Sequence, residues 1–407
     1  MRKYGYGLIV LSLLASAQIA QAESLALTGK MHWLTLASTK DKDIAIGIAR
    51  RSSLMAKTVK VVSSQNGYYA IILGPYAANS INAVKKADTE GQLGDLPKDA
   101  LLSSGDKYIE TVWDSKSGHI EPLAYSIQKA AEFNSGSLTV KIQGQKLDKE
   151  NAYTSVDGKD DKGPFHFDIG KDLPKDDLGN AEEFMGLIFN QAELVKLVAN
   201  SPSPQVVVKN NSGGAHCCTK TTIFSRDMAQ STWSEVEGKP LDGDGYWFED
   251  LDGDGIMELL SIDNNFLYAF DSYAGSVAPI QIAKLQNGKI EDVSTTPAMH
   301  ARLVQDLAGI EFEAKIRPEI WKENGFLAGW VASKIRLGDG EAAWAKVAHN
   351  MKEDTGFGPQ VCTSGQKIDD CPSDNLKPIP VLKGLAVFLK ENGYAPLPAA
   401  AAEALIH

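Results

Sequence analysis

The period of the apolar residues changes near residue 298, and this change limits the folds that the chain can adopt. Between residues 137 and 297, short runs such as TVKIQ and VVVK stand between Asp, Gly and Asn turns, a pattern typical of β-strands. Later segments such as ARLVQDLAGIEFEAKI carry apolar residues three and four apart, as one face of a helix does. We therefore predict a multidomain α+β protein, with a β-rich domain over 137–297, a helical domain over 298–396 and a frayed tail over 397–407.

The first 22 residues have the three parts of a secretory signal peptide. Arg2 and Lys3 precede an apolar run, and the small residues Ala20 and Ala22 mark a cleavage site. The alternative is an uncleaved membrane anchor, but the apolar run is short for spanning a hydrocarbon layer of about 30 Å. We expect an exported chain, periplasmic or secreted, that is cleaved after Ala22 and is at most peripheral to the membrane. The formal net charge of -11 argues against a nucleic-acid partner held through its phosphates.

Residues 24–113 have the pattern of strand, helix, strand, strand, helix, strand. The segment VKVVSSQNGYYAIILGPY predicts a hairpin that turns at Gln65-Asn66-Gly67. One face of the resulting sheet is expected to be buried by helices and the other to be open. Two more helices are predicted, a linker helix within 114–136, in LAYSIQKAAEF, and a helix in AEEFMGLIFNQAELVKLVA.

The opening strand WLTLAS and the stretch YYAIILGPYAANSINAVKKA resemble the SPOR domain, a small bacterial βαββαβ module that binds peptidoglycan glycan strands. The resemblance includes the Gly74-Pro75-Tyr76 turn, and a long lysine-bearing stretch between Ala87 and Lys107 departs from it. It implies that peptidoglycan is a partner and that sugar rings stack on the open sheet face. The residues that would bind this ligand are His32, Trp33, Tyr68 and Tyr69.

The acidic stretch DLDGDGIME, residues 250–258, has the oxygen spacing of a calcium loop. Carboxylates at positions one, three, five and nine, a glycine at six and a carbonyl at seven would form a cage of hard oxygen ligands. The predicted cofactor is a structural Ca²⁺ ion, and a solvated acidic turn without metal is the alternative. The predicted ligands are Asp250, Asp252, Asp254, the carbonyl of Ile256 and Glu258.

This loop differs from an EF-hand, because Ser261 stands at position twelve, where an EF-hand carries a glutamate. It also lies between predicted strands rather than helices. In these respects it resembles the calcium loops of FG-GAP and VCBS-type β-repeats. A second acidic turn, LDGDG at residues 241–245, is too short to form a site of its own.

The stretch SGGAHCCT places His216 directly before Cys217 and Cys218. A cysteine nucleophile needs a depressed thiol pKa and a nearby histidine, but neighbouring residues on a strand point to opposite faces. His216 is therefore badly placed for Cys217, although it could face the same way as Cys218. The other histidines that could serve are His166, His300 and His349. No CxxC or HxxxH pair completes a tetrahedral zinc site.

A disulfide role suits the four cysteines better, because an exported chain meets an oxidising compartment. A bond between Cys217 and Cys218 would be strained, since adjacent Cα atoms lie only about 3.8 Å apart. Cys362 and Cys371 flank a polar loop and are expected to pair with each other. We favour a structural role for Cys217 and Cys218 over catalysis.

The block from Val206 to Val293 resembles a group of exported bacterial proteins in which GGAHCC precedes an acidic DGDG loop and a Ser-Tyr-Ala segment. No activity is established for that group. The shared order implies that the cysteine stretch, the acidic loop and the turn Asp271-Ser272-Tyr273 belong to one folded unit.

These features predict an exported cell-envelope protein that binds or scaffolds at peptidoglycan without catalysis, with calcium holding the β-loop in one conformation. The first alternative is an envelope hydrolase or thiol enzyme that uses Cys217 or Cys218 and is targeted by the SPOR-like domain. The second alternative is a protein–protein interaction module. A serine hydrolase has no support, because the sequence contains no G-x-S-x-G elbow.

Overall fold

The computed structural model describes residues 25–53, 58–87, 93, 95–115, 122–148, 152–171, 190–211, 217–226, 232–353, 355–366 and 370–405. The predicted signal peptide, residues 1–22, lies outside them. The described part is multidomain, with several β-sheets followed by a helical C-terminal region, so the change of period near residue 298 marks a change of structure. None of the helices in these ranges is long and apolar enough to cross a membrane.

The N-terminal domain is a five-stranded antiparallel sheet in the order β4-β1-β3-β2-β5. The first four of these strands have the neighbour order of a split βαβ fold. The predicted hairpin turn is present, with Gly67 at a φ of +77°. The elements of this domain are β1 (Met31–Thr39), α1 (Lys42–Ser53), β2 (Val59–Ser64), β3 (Tyr69–Ala77), α2 (Ile81–Ala87), β4 (Leu101–Ser103) and β5 (Tyr108–Asp114).

Both faces of this sheet are covered, so the prediction of an open face was wrong. Leu34 and Ile71 pack with α1 on one face, whereas Trp33 and Ile72 pack with Leu25 on the other. The segment before β1 runs across this second face, and the Trp33 indole N–H donates to the Leu25 carbonyl at 2.8 Å. That segment follows the predicted signal peptide and belongs to no predicted strand or helix.

The central region consists of three antiparallel sheets, and the second sheet lies between the other two. Val206 and Val208 of its strand β12 pack toward the first sheet, whereas Val207 packs against Leu259 of the third. The strand is therefore buried on both faces, which explains its continuous apolar run.

The sheets of the central region have short strands, as the turn-rich sequence predicts. The first, in the order β10-β9-β8-β7, contains β7 (Ala131–Ser135), β8 (Leu138–Lys146), β9 (Ala152–Asp160) and β10 (Gly163–Ile169). The second, in the order β14-β13-β12-β11-β6 with β15 beside β13, contains β6 (Leu123–Ala124), β11 (Gln191–Val195), β12 (Gln205–Asn211), β13 (Cys217–Arg226), β14 (Trp233–Glu237) and β15 (Leu241–Asp242). The third, in the order β16-β17-β18-β19, contains β16 (Trp247–Glu249), β17 (Glu258–Ile262), β18 (Ile280–Gln286) and β19 (Lys289–Asp292).

Two predicted helices are strands in the part of the chain that the structure describes. The stretch LAYSIQKAAEF forms β6 and β7, because the Ser126 hydroxyl accepts the N–H groups of Gln128 and Lys129 and closes a turn between them. The end of AEEFMGLIFNQAELVKLVA forms β11, and its beginning lies outside the described residues. The segment FLYAFDSY, residues 266–273, is predicted as a strand. It instead begins at the last residue of one 3₁₀ turn (Asn264–Phe266) and ends at the first residue of a second (Tyr273–Gly275).

The C-terminal region is helical, as predicted. Its elements are α3 (His300–Ile316), α4 (Asn324–Arg336), α5 (Gly340–Asn350), α6 (Val381–Glu391), α7 (Ala399–Ala404) and a small hairpin of β20 (Gln360–Cys362) and β21 (Leu376–Pro378). Four predicted helical segments correspond to α3 through α6. The expected frayed tail is instead the short helix α7, whose Ala401 is fully buried in the helical core.

The N-terminal domain docks onto the helical region through α1 and α3. A methyl group at Gly47 would overlap the Gln305 carbonyl oxygen, so the two helix backbones are in direct contact. Arg50 pairs with Glu249 of β16 at 2.5 Å and donates to the Gln305 side chain at 3.0 Å. Arg51 pairs with Glu313 of α3. Helix α1 of the N-terminal domain, strand β16 of the third central sheet and helix α3 of the C-terminal region therefore meet at one charged interface.

Candidate functional site

The loop 250–258 joins β16 to β17 and is folded by its own aspartates. The two carboxylate oxygens of Asp250 accept the N–H groups of Gly253 at 2.8 Å and Gly255 at 3.0 Å. Both glycines have positive φ, +76° and +79°, which costs least at glycine. Asp254 accepts the N–H of Ile256 at 2.7 Å. The loop is thus wound so that alternate side chains turn toward one point.

Three of the predicted ligands come together there. Asp250, Asp252 and Asp254 each offer a carboxylate oxygen, and these oxygens lie within 4.8 Å of one another on the exposed side of the loop. Glu258 closes the inner side and is fully buried. Its Oε2 accepts the Leu251 N–H at 2.8 Å, and its Oε1 faces Lys284 of β18.

Lys284 of β18 is a member of this site that the sequence did not reveal. Its Nζ lies 2.8 Å from Glu258 Oε1, 2.9 Å from Asp252 Oδ2 and 4.0 Å from Asp254 Oδ2. Desolvation opposes the charge, but the two nearer carboxylates raise the pKa of Lys284 above its usual value. The hydrogen bond from Lys284 lowers the pKa of Asp252. Lys284 and Asp252 are therefore both charged at neutral pH.

The donor set suits Ca²⁺ in its chemistry. Calcium takes six to eight oxygen ligands, commonly carboxylates, carbonyls and waters, in flexible geometry. A fully buried carboxylate such as that of Glu258 is the kind of group that a cation compensates. Lys284 supplies that compensation in this structure.

The cysteine stretch can be followed only from Cys217 onward, because residues 212–216, including His216, lie outside the described part. On the backbone, Cys217 pairs with Asp242 of β15. Cys218 is disulfide-bonded and no described cysteine is free, so Cys218 offers no thiol nucleophile in this state. Cys362 and Cys371 form the disulfide expected from their spacing, with a Cα–Cα distance of 5.8 Å.

The turn 271–275 reaches the same strand pair. A hydrogen bond to the Asp242 carboxylate raises the pKa of Tyr273 to about 12. A methyl group at Gly325 of α4 would overlap the Gly275 carbonyl, so the turn is pressed against the helical region. The strand that carries Cys217, the β15 turn and the Tyr273 turn therefore adjoin one another, and Tyr273 remains a neutral hydrogen-bond donor at neutral pH.

The four predicted sugar-binding residues do not share a face. Trp33 is 4% exposed and Tyr69 packs against the core on the helix side of the sheet. The His32 ring shares a hydrogen bond with the Ala78 carbonyl at 2.7 Å. Tyr68 is half-buried, with the Lys40 ammonium 5.5 Å from its ring centre. Trp33 packs into the core on one face of the sheet and Tyr69 against the core on the other, so these two side chains could not face one ligand together.

A further polar cluster lies on the outer face of the first central sheet, which contains β9 and β10, beside a groove of about 590 Å³. The His166 ring lies between Asp157, 2.7 Å from Nδ1, and Asp168, 3.1 Å from Nε2. The hydrogen bond with Asp157 is the main reason that the pKa of His166 is raised. His166 therefore has two carboxylate partners of its own. Its spacing to Asp168 along one strand, i and i+2, was the available sequence signal.

Comparisons with known proteins place the chain beside two relatives. Residues 301–393 match the family model described as the sll0997 C-terminal domain. The chain is 34% identical over 390 residues, 95% of its length, to the uncharacterized protein y4bJ of Sinorhizobium fredii, of which it covers 59%. It is 33% identical over 206 residues, 50% of its length, to the probable thylakoid lumen protein sll0997 of Synechocystis, of which it covers 60%. The chain thus spans less than two thirds of each relative, and no solved structure matches it.

The family match corresponds to the helical region alone. It begins within α3 and ends just after α6. The acidic loop, Lys284 and the cysteine strand lie before it. The match therefore concerns the helical region and says nothing about the candidate site.

Proposed function

We propose that the chain is an exported, non-catalytic binding or scaffolding protein of the cell envelope, with peptidoglycan glycan strands as its ligand and a structural Ca²⁺ ion in the loop 250–258. The observation that carries this proposal is the convergence of three carboxylates within 4.8 Å on a loop that its own aspartates already fold. Asp250, Asp252, Asp254, the Ile256 carbonyl and Glu258 would hold the ion. When bound, the ion would fix the loop between β16 and β17.

Export is supported by two observations. Residues 1–22 carry a signal-peptide pattern, and one relative is named a probable thylakoid lumen protein. The Cys362–Cys371 disulfide also suits an oxidising compartment, where such bonds persist.

Binding to glycan strands is supported by the strand order of the N-terminal sheet, which agrees with the βαββαβ order of the SPOR resemblance. Trp33 is buried and is therefore not a ligand contact in this proposal. Tyr68, at the exposed hairpin end beside Lys40, is the aromatic residue of the four that remains accessible to a sugar ring.

Calcium binding is tested with Asp254→Asn. The asparagine oxygen can still accept the Ile256 N–H, while one ligand charge is removed. The matched control is Asp244→Asn, an exposed aspartate of the neighbouring acidic turn. We expect Ca²⁺ to raise the melting temperature of the mature protein and of Asp244→Asn, and to raise that of Asp254→Asn much less. Equal shifts in all three, or none in the parent protein, would contradict the site.

Glycan binding is tested by co-sedimentation of the mature chain with purified peptidoglycan stripped of its stem peptides. Tyr68→Ala should weaken binding about tenfold, since loss of an aromatic contact costs on the order of 1 kcal/mol or more. Tyr153→Ala is a matched control, because Tyr153 also has a lysine, Lys171, 5.1 Å from its ring centre but on another sheet. Equal sedimentation of both variants and the parent protein would show that Tyr68 does not contact the glycan strand.

A further inference from the structure

Lys284 occupies the position that a bound cation would need in order to reach two of the predicted ligands. Its ammonium group lies 2.9 Å from Asp252 and 2.8 Å from Glu258. Both carboxylates are among the five predicted calcium ligands. A divalent ion and the Lys284 ammonium would therefore compete for the same oxygens.

The sheet, rather than the loop, determines where Lys284 lies. In the antiparallel pairing of β17 with β18, Leu259 lies opposite Ala283, so the next position places Lys284 beside Glu258. Glu258 is the first residue of β17 and Lys284 lies within β18. The ammonium is thus brought to the loop by a paired strand and not by the loop's own fold.

The charges explain why a lysine is needed there. Four carboxylates, from Asp250, Asp252, Asp254 and Glu258, surround the loop, and Glu258 is fully buried. Removing the partner of a buried charge is strongly destabilising. Without a metal ion, Lys284 is the cation within 4 Å of Glu258 among the described residues.

We propose that Lys284 is an internal counter-cation of the acidic loop, so that binding of a divalent ion is an exchange in which the ion takes the Asp252 and Glu258 oxygens from Lys284. Lys284 stabilises the metal-free loop and lowers the affinity of the loop for Ca²⁺. This inference rests on the proposed calcium function and assigns the residue that sets its affinity.

The test compares Lys284→Met with Lys289→Met, a change at an exposed lysine of the neighbouring strand β19. Ca²⁺ binding is measured by calorimetry and melting by circular dichroism, with EGTA or with saturating Ca²⁺. Lys284→Met should bind Ca²⁺ at least tenfold more tightly than the parent protein. It should melt at a lower temperature in EGTA, and saturating Ca²⁺ should remove most of this difference. Lys289→Met should match the parent protein in both measurements.

A second measurement uses the parent protein and needs no variant to fold. Amine acetylation followed by mass spectrometry reports how accessible each lysine is, and Ca²⁺ should increase the labelling of Lys284 as it leaves its carboxylates, while Lys289 stays constant. If Ca²⁺ binds the parent protein and Lys284→Met with equal affinity, or Lys284 labelling does not change, the exchange is overturned while the calcium site stands. If Ca²⁺ binds neither protein, both proposals fall. Binding to Lys284→Met alone would show that Lys284 blocks the loop and would overturn the exchange in the parent protein.

Discussion

Tyr394 and Asp263 form a hydrogen bond that joins the last helices to the central region. The Tyr394 hydroxyl donates to Asp263 Oδ2 at 2.8 Å, and the two residues are 0% and 1% exposed. Burial raises the pKa of Tyr394, so its hydroxyl stays protonated and donates at neutral pH. The other oxygen of Asp263 accepts the Asn265 N–H at 3.2 Å. Asp263 is therefore a buried carboxylate that depends on one distant side chain.

We expect Tyr394→Phe to lower the free energy of unfolding by about 1–3 kcal/mol, because it leaves a buried carboxylate oxygen without its donor. Urea denaturation monitored by tryptophan fluorescence measures the change. The control, Tyr268→Phe, alters a tyrosine that is 51% exposed and should change stability by less than about 0.5 kcal/mol. Equal stability of Tyr394→Phe and the parent protein would show that water can replace the hydroxyl.

The contact between helices α1 and α3 depends on two glycines that face each other. A methyl group at Gly47 would overlap the Gln305 carbonyl, which is backbone and cannot move aside. At Gly309 it would lie 2.9 Å from the Cβ of Arg51 and 3.0 Å from the Gly47 carbonyl oxygen. The first overlap is the more severe, so alanine at the two positions should have graded effects.

Gly47→Ala should destabilise the protein by about 1–3 kcal/mol, even though alanine favours the helix itself by about 0.5–1 kcal/mol. The overlap outweighs the propensity because the helices must separate to admit the methyl group. Gly309→Ala should destabilise less. Lys42→Ala, at an exposed position of α1, provides the control for a change to alanine in this helix. Thermal melting of the four proteins gives the order, and a Gly47→Ala protein that melts above the parent protein would refute the tight contact.

The elements that the sequence predicted well are those with one strong period. The helices α3 to α6 are of this kind, because each carries a long apolar stripe at helical spacing. The strand β12 was also predicted, from its continuous apolar run VVVK. LAYSIQKAAEF was assigned to the wrong class because its apolar residues fit a helix equally well, and the choice was made by the turn at Ser126. The covered face over Trp33 depends on a segment outside any regular element, which a period cannot detect.

The candidate site shows the same division between local and distant information. The carboxylates of the loop were predictable because they lie within nine consecutive residues with a fixed spacing. Lys284 was not, because it reaches Glu258 from a later strand and only the register of β17 and β18 brings the two together. The Tyr273 contact with Asp242 likewise joins residues that are distant in sequence.

At the scale of the whole molecule, the hydrophobic cores cross the domain boundary predicted at residues 297 and 298. Phe266 and Phe270, which precede that boundary, lie in the core of the helical region and are 1% exposed. Met299 and Leu303 of the helical side pack in turn against Ile282 of the third sheet. The family match over 301–393 therefore marks a segment of sequence similarity rather than a self-contained core.

We accordingly expect the isolated segment 298–405 to lack a cooperative thermal transition and to self-associate, because removing the earlier residues exposes Leu307, Phe312 and the faces that covered Phe266 and Phe270. A segment that also contains the third sheet, residues 244–405, keeps the cores around Phe270 and Ile282 and should melt cooperatively. It should melt at a lower temperature than the parent protein, because α1 and the second sheet, which packs against Leu259, are missing. Circular dichroism and size-exclusion chromatography of the two segments decide the matter. If the segment 298–405 were monomeric and melted cooperatively, the helical region would need neither α1 nor the third sheet. Phe266 and Phe270 would then pack in its core without being required for its folding.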